Sequence, residues 1–364
     1  MTDLNRRNFI AKGAVVTAGA GAAVLATPAI AQDKIELRMA TSWPKNFPGL
    51  GTAASRFAER VGKATDGRIT IKVLAAGELV KALGVHDAVQ EGAADLYHSA
   101  EYYYQGKAKG LAFFSAVPMG LTADEMNGWI YHGGGQQIWD DISAPFNIKP
   151  LACGNTGSQM GGWFKNPITS LDDFKGLKMR MPGLGGDVLK ELGATPVTLS
   201  GSEILPALQA GTIDATEWVG PWNDLAFGFY KVVKNYHYPG FHEPGTLLSV
   251  GFNKGKWDAM SASDRAIIEY CAMAENVYDL AEYTANNSGA LKTLVEEHGV
   301  NLVEFPDEVY KKVAEVTPDI IAKVAATDAD TKKVADSFND FLGKARSWSG
   351  ISDGAYMNKR NING

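Results

Sequence analysis

Short apolar strands alternate with amphipathic helical segments from Lys34 onward, and this alternation limits the possible folds more than any other feature of the chain. The first examples are a strand at residues 35–41, a helical segment at 53–64 and a strand at 69–74. Such alternation is typical of α/β domains built around a sheet. It resumes at residues 148–153. Because a chain of 364 residues is longer than one hydrophobic core normally supports, two α/β lobes are predicted.

The positions where the alternation pauses and resumes suggest where each lobe begins and ends. The first lobe is predicted at residues 32–153 and the second at residues 154–245. Two later strand patterns, at residues 232–238 and 246–252, lead the chain back towards the first lobe. A return segment at about residues 246–262 is therefore predicted to complete the first lobe.

The longest helical pattern occupies residues 261–298. It begins with Ser261-x-x-Asp264, which is typical of a helix N-terminus, and it stops before Gly299. At 1.5 Å per residue this helix would be roughly 55 Å long, enough to run along both lobes. Its buried face is predicted to carry six residues at alternating spacings of four and three, namely Ile267, Cys271, Ala274, Tyr278, Ala281 and Ala285.

Residues 299–364 are predicted to form a C-terminal helical region. An amphipathic stripe in this region includes Val334, Phe338 and Leu342, and it ends by Trp348. This helix stands outside the α/β alternation, so two interpretations remain open. Either it docks on its own lobe, or it is an arm that packs on a second subunit in a homodimer.

The first 31 residues have the pattern of an export signal. Arg6 and Arg7 precede a weakly apolar run at residues 14–27, and Ala29-Ile30-Ala31 forms an A-x-A cleavage site before Gln32. The RRxF pattern resembles the twin-arginine export signal of bacteria. A membrane anchor is the alternative, but the run contains glycines and too few strongly apolar residues to span a bilayer. The sequence predicts a periplasmic protein, cleaved near Ala31/Gln32.

Charge and missing motifs argue against several classes of protein. The formal net charge of -6 disfavours binding to the phosphate backbone of nucleic acids, so nucleic acid is not expected as a partner. Cys153 and Cys271 fit neither a CxxC pair nor a zinc cluster. The six histidines have no HxxH or HExxH spacing, and GxSxG, GxGxxG and phosphate-loop motifs are missing from the sequence. No organic cofactor is therefore expected, and the chain is predicted not to be an enzyme.

Three polar strings in the second lobe, at residues 155–159, 177–182 and 214–218, lie at predicted strand ends. Ligands gather at such ends in an open α/β sheet because several loops converge there. Arg180 stands inside an apolar strand, where a buried guanidinium requires a nearby anion. That anion is either Glu217, in an internal ion pair, or the carboxylate of a ligand bound by two guanidinium nitrogens.

The aromatic run Tyr102-Tyr103-Tyr104 also has two interpretations. Its rings fill an interface between lobes, or they stack on a ligand. Packing is favoured for most of them, with one tyrosine lining the cleft.

Several strings resemble the periplasmic solute-binding subunits of TRAP (tripartite ATP-independent periplasmic) transporters. They are LKMRMPG at residues 177–183, LPALQAGTIDA at 205–215 and Asn253-Lys254-x-x-Trp257-Asp258. The resemblance extends over nearly all of the chain after the signal peptide, including the long helix. It implies a two-lobed α/β periplasmic binding protein fold with an interlobe cleft, crossing hinge strands and a long bracing helix. It also implies that Arg180 holds the carboxylate of the substrate.

One departure narrows the resemblance to a subgroup. Members that bind dicarboxylates or sialic acid carry an E-N-P string after the aspartate that corresponds to Asp214, whereas this chain has Thr216-Glu217-Trp218. It is similar here to the subgroup that binds 2-oxo and 2-hydroxy acids through a bound cation. This implies that Gln159, Glu217 and Trp218 hold the metal. Carboxylate, amide and carbonyl oxygens suit sodium or calcium.

The remaining predicted site residues flank this metal. Asn155 either donates a hydrogen bond to the ligand or caps its own loop. The rings of Trp218 and Trp222 are expected to form a dry wall.

The sequence therefore predicts a solute-binding subunit that captures a small 2-oxo monocarboxylate, such as pyruvate, with a bound cation. It would deliver this ligand to the membrane subunits of a TRAP transporter. Three alternatives remain: a periplasmic metal-dependent enzyme acting on 2-oxo or 2-hydroxy acids, a binding protein for lactate-type 2-hydroxy acids, and a sensory module.

Overall fold

The computed structural model describes residues 33–360, so the predicted signal peptide lies outside the described residues. In this range none of the helices has both the length and the apolar character that crossing a membrane requires. The strands are β1 Ile35–Thr41, β2 Ile69–Leu74, β3 Leu96–Ser99, β4 Ile148–Asn155, β5 Gly162–Phe164, β6 Lys178–Arg180, β7 Thr195–Val197, β8 Ala215–Thr216, β9 Asn235–Tyr238, β10 Leu247–Asn253 and β11 Asn301–Glu304. The α-helices are α1 Leu50–Ala64, α2 Val85–Gln90, α3 Ala123–His132, α4 Gly135–Ser143, α5 Gly183–Glu191, α6 Gly201–Gln209, α7 Pro221–Phe227, α8 Lys254–Ala259, α9 Ala262–Lys292, α10 Asp307–Ala325, α11 Ala329–Ser349 and α12 Asp353–Arg360.

The first lobe contains a five-stranded sheet in the order β2-β1-β3-β10-β4. Strand β1 pairs in parallel with β2 and β3, and β10 pairs antiparallel with β3 and β4. Along β1 the buried Leu37 and Met39 lie on either side of the exposed Arg38. Both belong to a core that includes Phe57 and Val61 of α1. The return of the chain to this sheet is made by β10.

The second lobe contains a six-stranded sheet in the order β11-β9-β5-β8-β6-β7. Strand β6 lies parallel to β8, and Arg180 pairs in register with Thr216. This register brings the carboxyl ends of β6 and β8 side by side, so Glu217 follows directly beside Arg180. The region after the long helix is not wholly helical, because it begins with β11, which pairs in parallel with β9.

Two neighbouring segments of the chain connect the two sheets. Strand β4 leads from the first sheet to β5, and the segment between β9 and β10 leads back. The two crossings are tied by a hydrogen bond from the Thr156 amide to the Thr246 carbonyl oxygen, at 3.1 Å. They therefore form the double connection between lobes that the two-lobed fold requires.

Helix α9 contacts both lobes, as a bracing helix must. The Ser261 hydroxyl caps it by accepting from the Asp264 amide at 3.1 Å. Its 31 residues span roughly 46 Å at 1.5 Å per residue. Glu275 pairs with Arg56 of α1 in the first lobe, whereas the Tyr283 hydroxyl donates to Asn223 of α7 in the second, at 3.0 Å.

The buried face of α9 differs from the predicted one. Cys271 is buried as predicted, but Ala274, Tyr278, Ala281 and Ala285 are exposed, and the buried face mixes apolar residues with polar and acidic ones. It carries acidic groups because α1 presents arginines to it. Tyr278 lies under the guanidinium carbons of two of these arginines, 4.8 and 5.0 Å from its ring centroid. The buried polar residues of α9 are Asp264, Glu275, Asn276 and Asp279.

The C-terminal helices pack in two different ways. Val334, Phe338 and Leu342 of α11 are buried, and the Phe338 ring meets Phe113 and Trp129 of the first lobe. Helix α11 therefore docks on its own chain. Helix α12 has no buried residue.

Candidate ligand-binding site

A small cavity lies between the lobes, where the crossing segments meet the carboxyl ends of β6 and β8. Its volume is about 10 Å³, which accommodates a single water molecule. A ligand with several heavy atoms therefore requires the lobes or the lining side chains to move apart. The lining residues are Trp43, Leu50, Tyr102, Tyr103, Thr156, Gln159, Trp218, Val219, Thr246 and Leu248.

Arg180 is fully buried at the end of β6. Its Nη1 forms an ion pair with Glu217 Oε1, so the internal pair considered from the sequence is present. Its Nε donates to the Leu199 carbonyl oxygen at 3.2 Å, and its Nη2 donates across the cleft to the Tyr103 hydroxyl at 3.3 Å. Burial alone would lower the pKa of Arg180, but the charge of Glu217, together with Tyr103, Tyr102 and Glu243, raises it overall. Arg180 therefore stays charged, with one edge facing the residues of the cavity.

Glu217 is buried with only one oxygen fully paired. Oε1 accepts from Arg180, whereas Oε2 has no hydrogen-bond partner among the described residues. The Nε2 atom of His242 lies 3.5 Å from this Oε2. Glu217, His242 and Glu243 each offer one ligand atom, and these three atoms lie within 4.8 Å of one another. These three side chains form a buried, polar and predominantly acidic cluster.

His242 and Glu243 are site residues that sequence reasoning missed. Both are fully buried in the segment between β9 and β10. Burial, assisted by the charge of Glu217, raises the pKa of Glu243 to about 7. Burial acts to lower the pKa of His242, but the neighbouring charges of Glu217 and Glu243 raise it overall. A polar pair before the turn-forming Pro244-Gly245, in a predicted crossing segment, is the feature that could have identified them.

Gln159 lines the cavity with its amide held on one side. Its Nε2 donates to the hydroxyls of Thr156 at 3.1 Å and Thr246 at 3.0 Å. Its Oε1 is buried and accepts no hydrogen bond from any residue in the described part of the chain. An acceptor oxygen is thus left free in a polar cleft.

Asn155 takes the loop-capping role that was one of its two interpretations. Its Oδ1 accepts from the Gly157 amide at 2.9 Å, which forms a local turn. Its Nδ2 is buried and donates to no group within residues 33–360. Asn155 is not among the residues that line the cavity.

The aromatic residues divide between the cavity and the core. Trp218 lines the cavity, and the Arg180 guanidinium carbon lies 5.0 Å from its ring centroid. The prediction for Trp222 was wrong: its ring packs on Tyr283 of α9, with centroids 5.4 Å apart, because helix α7 turns it towards the long helix. Two tyrosines of the run, Tyr102 and Tyr103, line the cavity, whereas sequence reasoning expected one.

The donor set fits a hard cation. Glu217 Oε2 and Gln159 Oε1 are buried oxygens without partners among residues 33–360, and Glu243 adds a second carboxylate. Oxygen donors of this kind suit sodium or calcium. A positive ion there would also reduce the repulsion between the two carboxylates and an anionic ligand.

The chain matches a known protein family and is similar to a named periplasmic binding protein. Residues 39–328 match the bacterial extracellular solute-binding proteins, family 7. A Nostoc protein named as a monocarboxylate 2-oxoacid-binding periplasmic protein is 41% identical over 324 residues, which cover 89% of this chain and 88% of its own length.

Two crystal structures are similar over nine tenths of the chain. A TRAP transporter solute-binding protein from Bordetella bronchiseptica, with copurified calcium and picolinate, is 34% identical with a TM-score of 0.88, covering 90% of this chain and 98% of its own. A TRAP periplasmic solute-binding protein from Pseudoalteromonas atlantica, with bound sodium and pyruvate, is 37% identical with a TM-score of 0.86, covering 90% and 99%. The chain therefore belongs to family 7 of the bacterial extracellular solute-binding proteins, and its two-lobed fold is that of the TRAP transporter solute-binding proteins.

Proposed function

We propose that this protein binds a short 2-oxo monocarboxylate, such as pyruvate, together with a sodium or calcium ion, and delivers the acid to the membrane subunits of a TRAP transporter. The observation that carries the proposal is the buried pair of Arg180 and Glu217, in which Glu217 keeps one oxygen free. A fixed guanidinium suits a carboxylate, and a free carboxylate oxygen suits a cation. The Nostoc and Pseudoalteromonas relatives support this ligand class.

In this proposal Arg180 binds the carboxylate of the acid through the edge that now meets Tyr103. Glu217 Oε2 and Gln159 Oε1, with the Trp218 carbonyl oxygen, hold the cation, and Glu243 is a further candidate. When bound, the ion supplies a positive charge between Glu217 and the anionic ligand. Asn155 Nδ2 is a candidate donor to a remaining ligand oxygen, and the Trp218 ring excludes water from one side.

Closure of the lobes couples binding to delivery. The lobes already meet through aromatic pairs: Trp43 with Trp218, at 6.4 Å between ring centroids, and Phe47 with Phe227, at 4.4 Å. A ligand that contacts Arg180 from one lobe and Tyr103 from the other favours the shut arrangement. The shut arrangement then gives the membrane subunits a surface that distinguishes loaded from empty protein.

We further propose that the protein is exported and cleaved near Ala31/Gln32, so that it acts in the periplasm. The paired arginines and the A-x-A string support this location. Mass spectrometry of the protein from a periplasmic extract tests it. A mature N-terminus at Gln32 is expected, and an intact N-terminus would contradict it.

We also propose a homodimer made by the C-terminal helices. Trp348 and Ile351 are 68% and 74% exposed, and α12 buries no side chain of its own. Exposed apolar residues at the end of α11 and in the turn before α12 favour burial against another chain. Native mass spectrometry should give a dimer for the mature chain and a monomer after truncation at residue 350; a monomer for both would contradict the proposal.

A ligand panel separates this function from its alternatives. Pyruvate at a hundredfold excess over its dissociation constant should stabilise the protein by about 2.7 kcal/mol. Lactate, succinate and a hexuronate are tested beside it, with calcium present throughout. Stabilisation by lactate but not pyruvate would favour a 2-hydroxy acid, and stabilisation by succinate or the sugar acid alone would contradict the proposal.

The enzyme alternative requires a positioned general base, and His242, beside Glu217, is the nearest candidate. Incubation with pyruvate or lactate, followed by product analysis, tests it. Unchanged acid is expected, and a product would favour the enzyme. Copurification with TRAP membrane subunits, rather than with a receptor, distinguishes transport from a sensory role.

A further inference from the structure

The amide of Gln159 is fixed in one orientation by the hydrogen-bond directions of its neighbours. The nitrogen and oxygen ends of a glutamine amide have nearly the same shape, so its partners decide which end faces the cavity. Here both N–H groups of Nε2 are used, by Thr156 and Thr246. All three side chains are buried, so bulk water is no substitute for these partners.

While Glu243 is ionised, Thr246 can only accept from Gln159. A threonine hydroxyl has one hydrogen, and that of Thr246 is donated to Glu243 Oε2. Its oxygen therefore faces the amide as an acceptor, and the partner atom on Gln159 must be a nitrogen. An oxygen at that position would leave two acceptors in contact without a hydrogen between them, which is costly when buried.

Thr156 imposes the same direction independently. Its hydroxyl hydrogen is donated to the Gly157 carbonyl oxygen at 3.1 Å, so its oxygen also accepts from Gln159. The backbone keeps these partners in place, because the Gln159 amide donates to the Glu243 carbonyl oxygen at 3.1 Å. Two hydroxyls, one from each crossing segment, thus hold the nitrogen end of Gln159.

We infer that Thr246, assisted by Thr156, is a positioning residue that keeps Gln159 Oε1 directed to the cation. This inference rests on the proposed function, since it concerns the same cation site. A flipped amide would replace an oxygen ligand by an N–H group, which repels a cation. Groups that orient metal ligands in this way commonly change metal affinity by 10- to 100-fold when removed, as a rough guide.

The test compares Thr246→Val with Thr246→Ser in the mature protein, freed of metal by a chelator. The quantity measured is the calcium concentration that gives half-maximal pyruvate binding. Thr246→Val should raise it by about tenfold or more, whereas Thr246→Ser, which keeps the hydroxyl, should stay within about twofold of wild type. With calcium in large excess, pyruvate should bind Thr246→Val nearly as tightly as wild type, which a general loss of structure would not give.

Ser158→Ala is the matched control, because this exposed hydroxyl lies in the same loop and donates only to the Pro244 carbonyl oxygen at 2.9 Å. It should leave the calcium requirement unchanged. If Thr246→Val does not fold, Thr156→Val makes the same test through the other hydroxyl. An unchanged calcium requirement in the folded valine variant overturns the inference, as does an equal loss in Thr246→Ser.

The wild-type measurement separates this inference from the proposed function. If wild-type protein requires calcium for pyruvate and the valine variant has the same requirement, only the positioning role is overturned. If wild-type protein binds pyruvate equally well without any cation, or binds no 2-oxo acid, the proposed function is overturned and the positioning role with it.

Discussion

Arg180 and Glu217 form an ion pair in which both side chains are 1% exposed, at the ends of two neighbouring strands, and Arg180 reaches the interlobe cavity through the Tyr103 hydroxyl. Burying two charges costs several kcal/mol per ion, as a rough guide, so such a pair is weak evidence of a stabilising role. The pair matters for ligand binding because of the atoms that it leaves available. Glu217 Oε2 has no hydrogen-bond partner among the described residues, and the Nη2 edge of the Arg180 guanidinium faces the Tyr103 hydroxyl.

Replacement of Arg180 by lysine should weaken pyruvate binding by about 10- to 100-fold. Lysine keeps the positive charge beside Glu217 but lacks the planar fork that binds a carboxylate through two nitrogens. Calorimetry with calcium in excess measures the effect. Arg38→Lys is the matched control, since Arg38 is a half-exposed strand residue in the other lobe. Equal affinities for wild type and Arg180→Lys would mean that Arg180 is purely structural.

Replacement of Glu217 by glutamine should raise the calcium concentration needed for pyruvate binding by about tenfold or more, because cation affinity follows the charge of the ligands. The amide oxygen still accepts from Arg180, so the variant is expected to fold. Glu191→Gln serves as a control, because Glu191 pairs with Lys323 on the surface, away from the cavity. A calcium requirement identical to wild type would remove Glu217 from the cation site.

Replacement of Glu275 by glutamine should lower the free energy of unfolding by about 1.5–3 kcal/mol, the range for hydrogen bonds to charged groups. Glu275 is buried on α9 and accepts from Arg56 Nη2 at 2.8 Å and Arg60 Nε at 3.0 Å. Urea unfolding of the ligand-free protein measures the loss. Glu59→Gln, on the exposed side of α1, should show no measurable change. Equal losses in both variants would contradict a bracing role for these ion pairs.

Glu101 should make the folded state less stable as the pH rises. Burial raises its pKa to about 7 from an ordinary value of 4.5, so the folded state holds this proton more tightly than the unfolded state. Its contribution is fully present below pH 4.5 and is lost as the pH rises through 7.

Glu101→Gln isolates this contribution, because a glutamine oxygen can still accept from the Tyr97 and Ser249 hydroxyls. Between pH 5 and pH 8, roughly the range that spans the raised pKa, wild type should lose stability relative to the variant in urea unfolding. A difference between the two proteins that does not change with pH would show that the proton on Glu101 does not affect folding.

Local patterns predicted the local elements well. The strands Ile35–Thr41 and Ile69–Leu74 have the predicted bounds, and α9 begins at the predicted cap. Each is determined by residues close together in sequence, namely an apolar alternation or a capping hydroxyl. The two-lobed fold followed from the number of such elements and from the family resemblance, and it is confirmed.

Features that depend on distant residues were not predictable in the same way. The buried face of α9 includes the acidic Glu275 because Arg56 and Arg60, more than 200 positions away, pair with it. The spacing of apolar residues in a helix gives no information about ion-pair partners that are distant in sequence. His242 and Glu243 join Glu217 only because a crossing segment folds back beside β8. Trp222 is an aromatic residue of the kind that often lines a cleft, but the orientation of α7 places its ring against α9.

Isothermal titration of pyruvate into chelator-treated protein, with and without added calcium, is the decisive experiment. If Arg180 and a cation held by Glu217 and Gln159 bind the acid together, heat of binding should appear only with the cation and should vanish again on adding chelator. Equal binding of pyruvate in both titrations, or no binding in either, would contradict the proposed site.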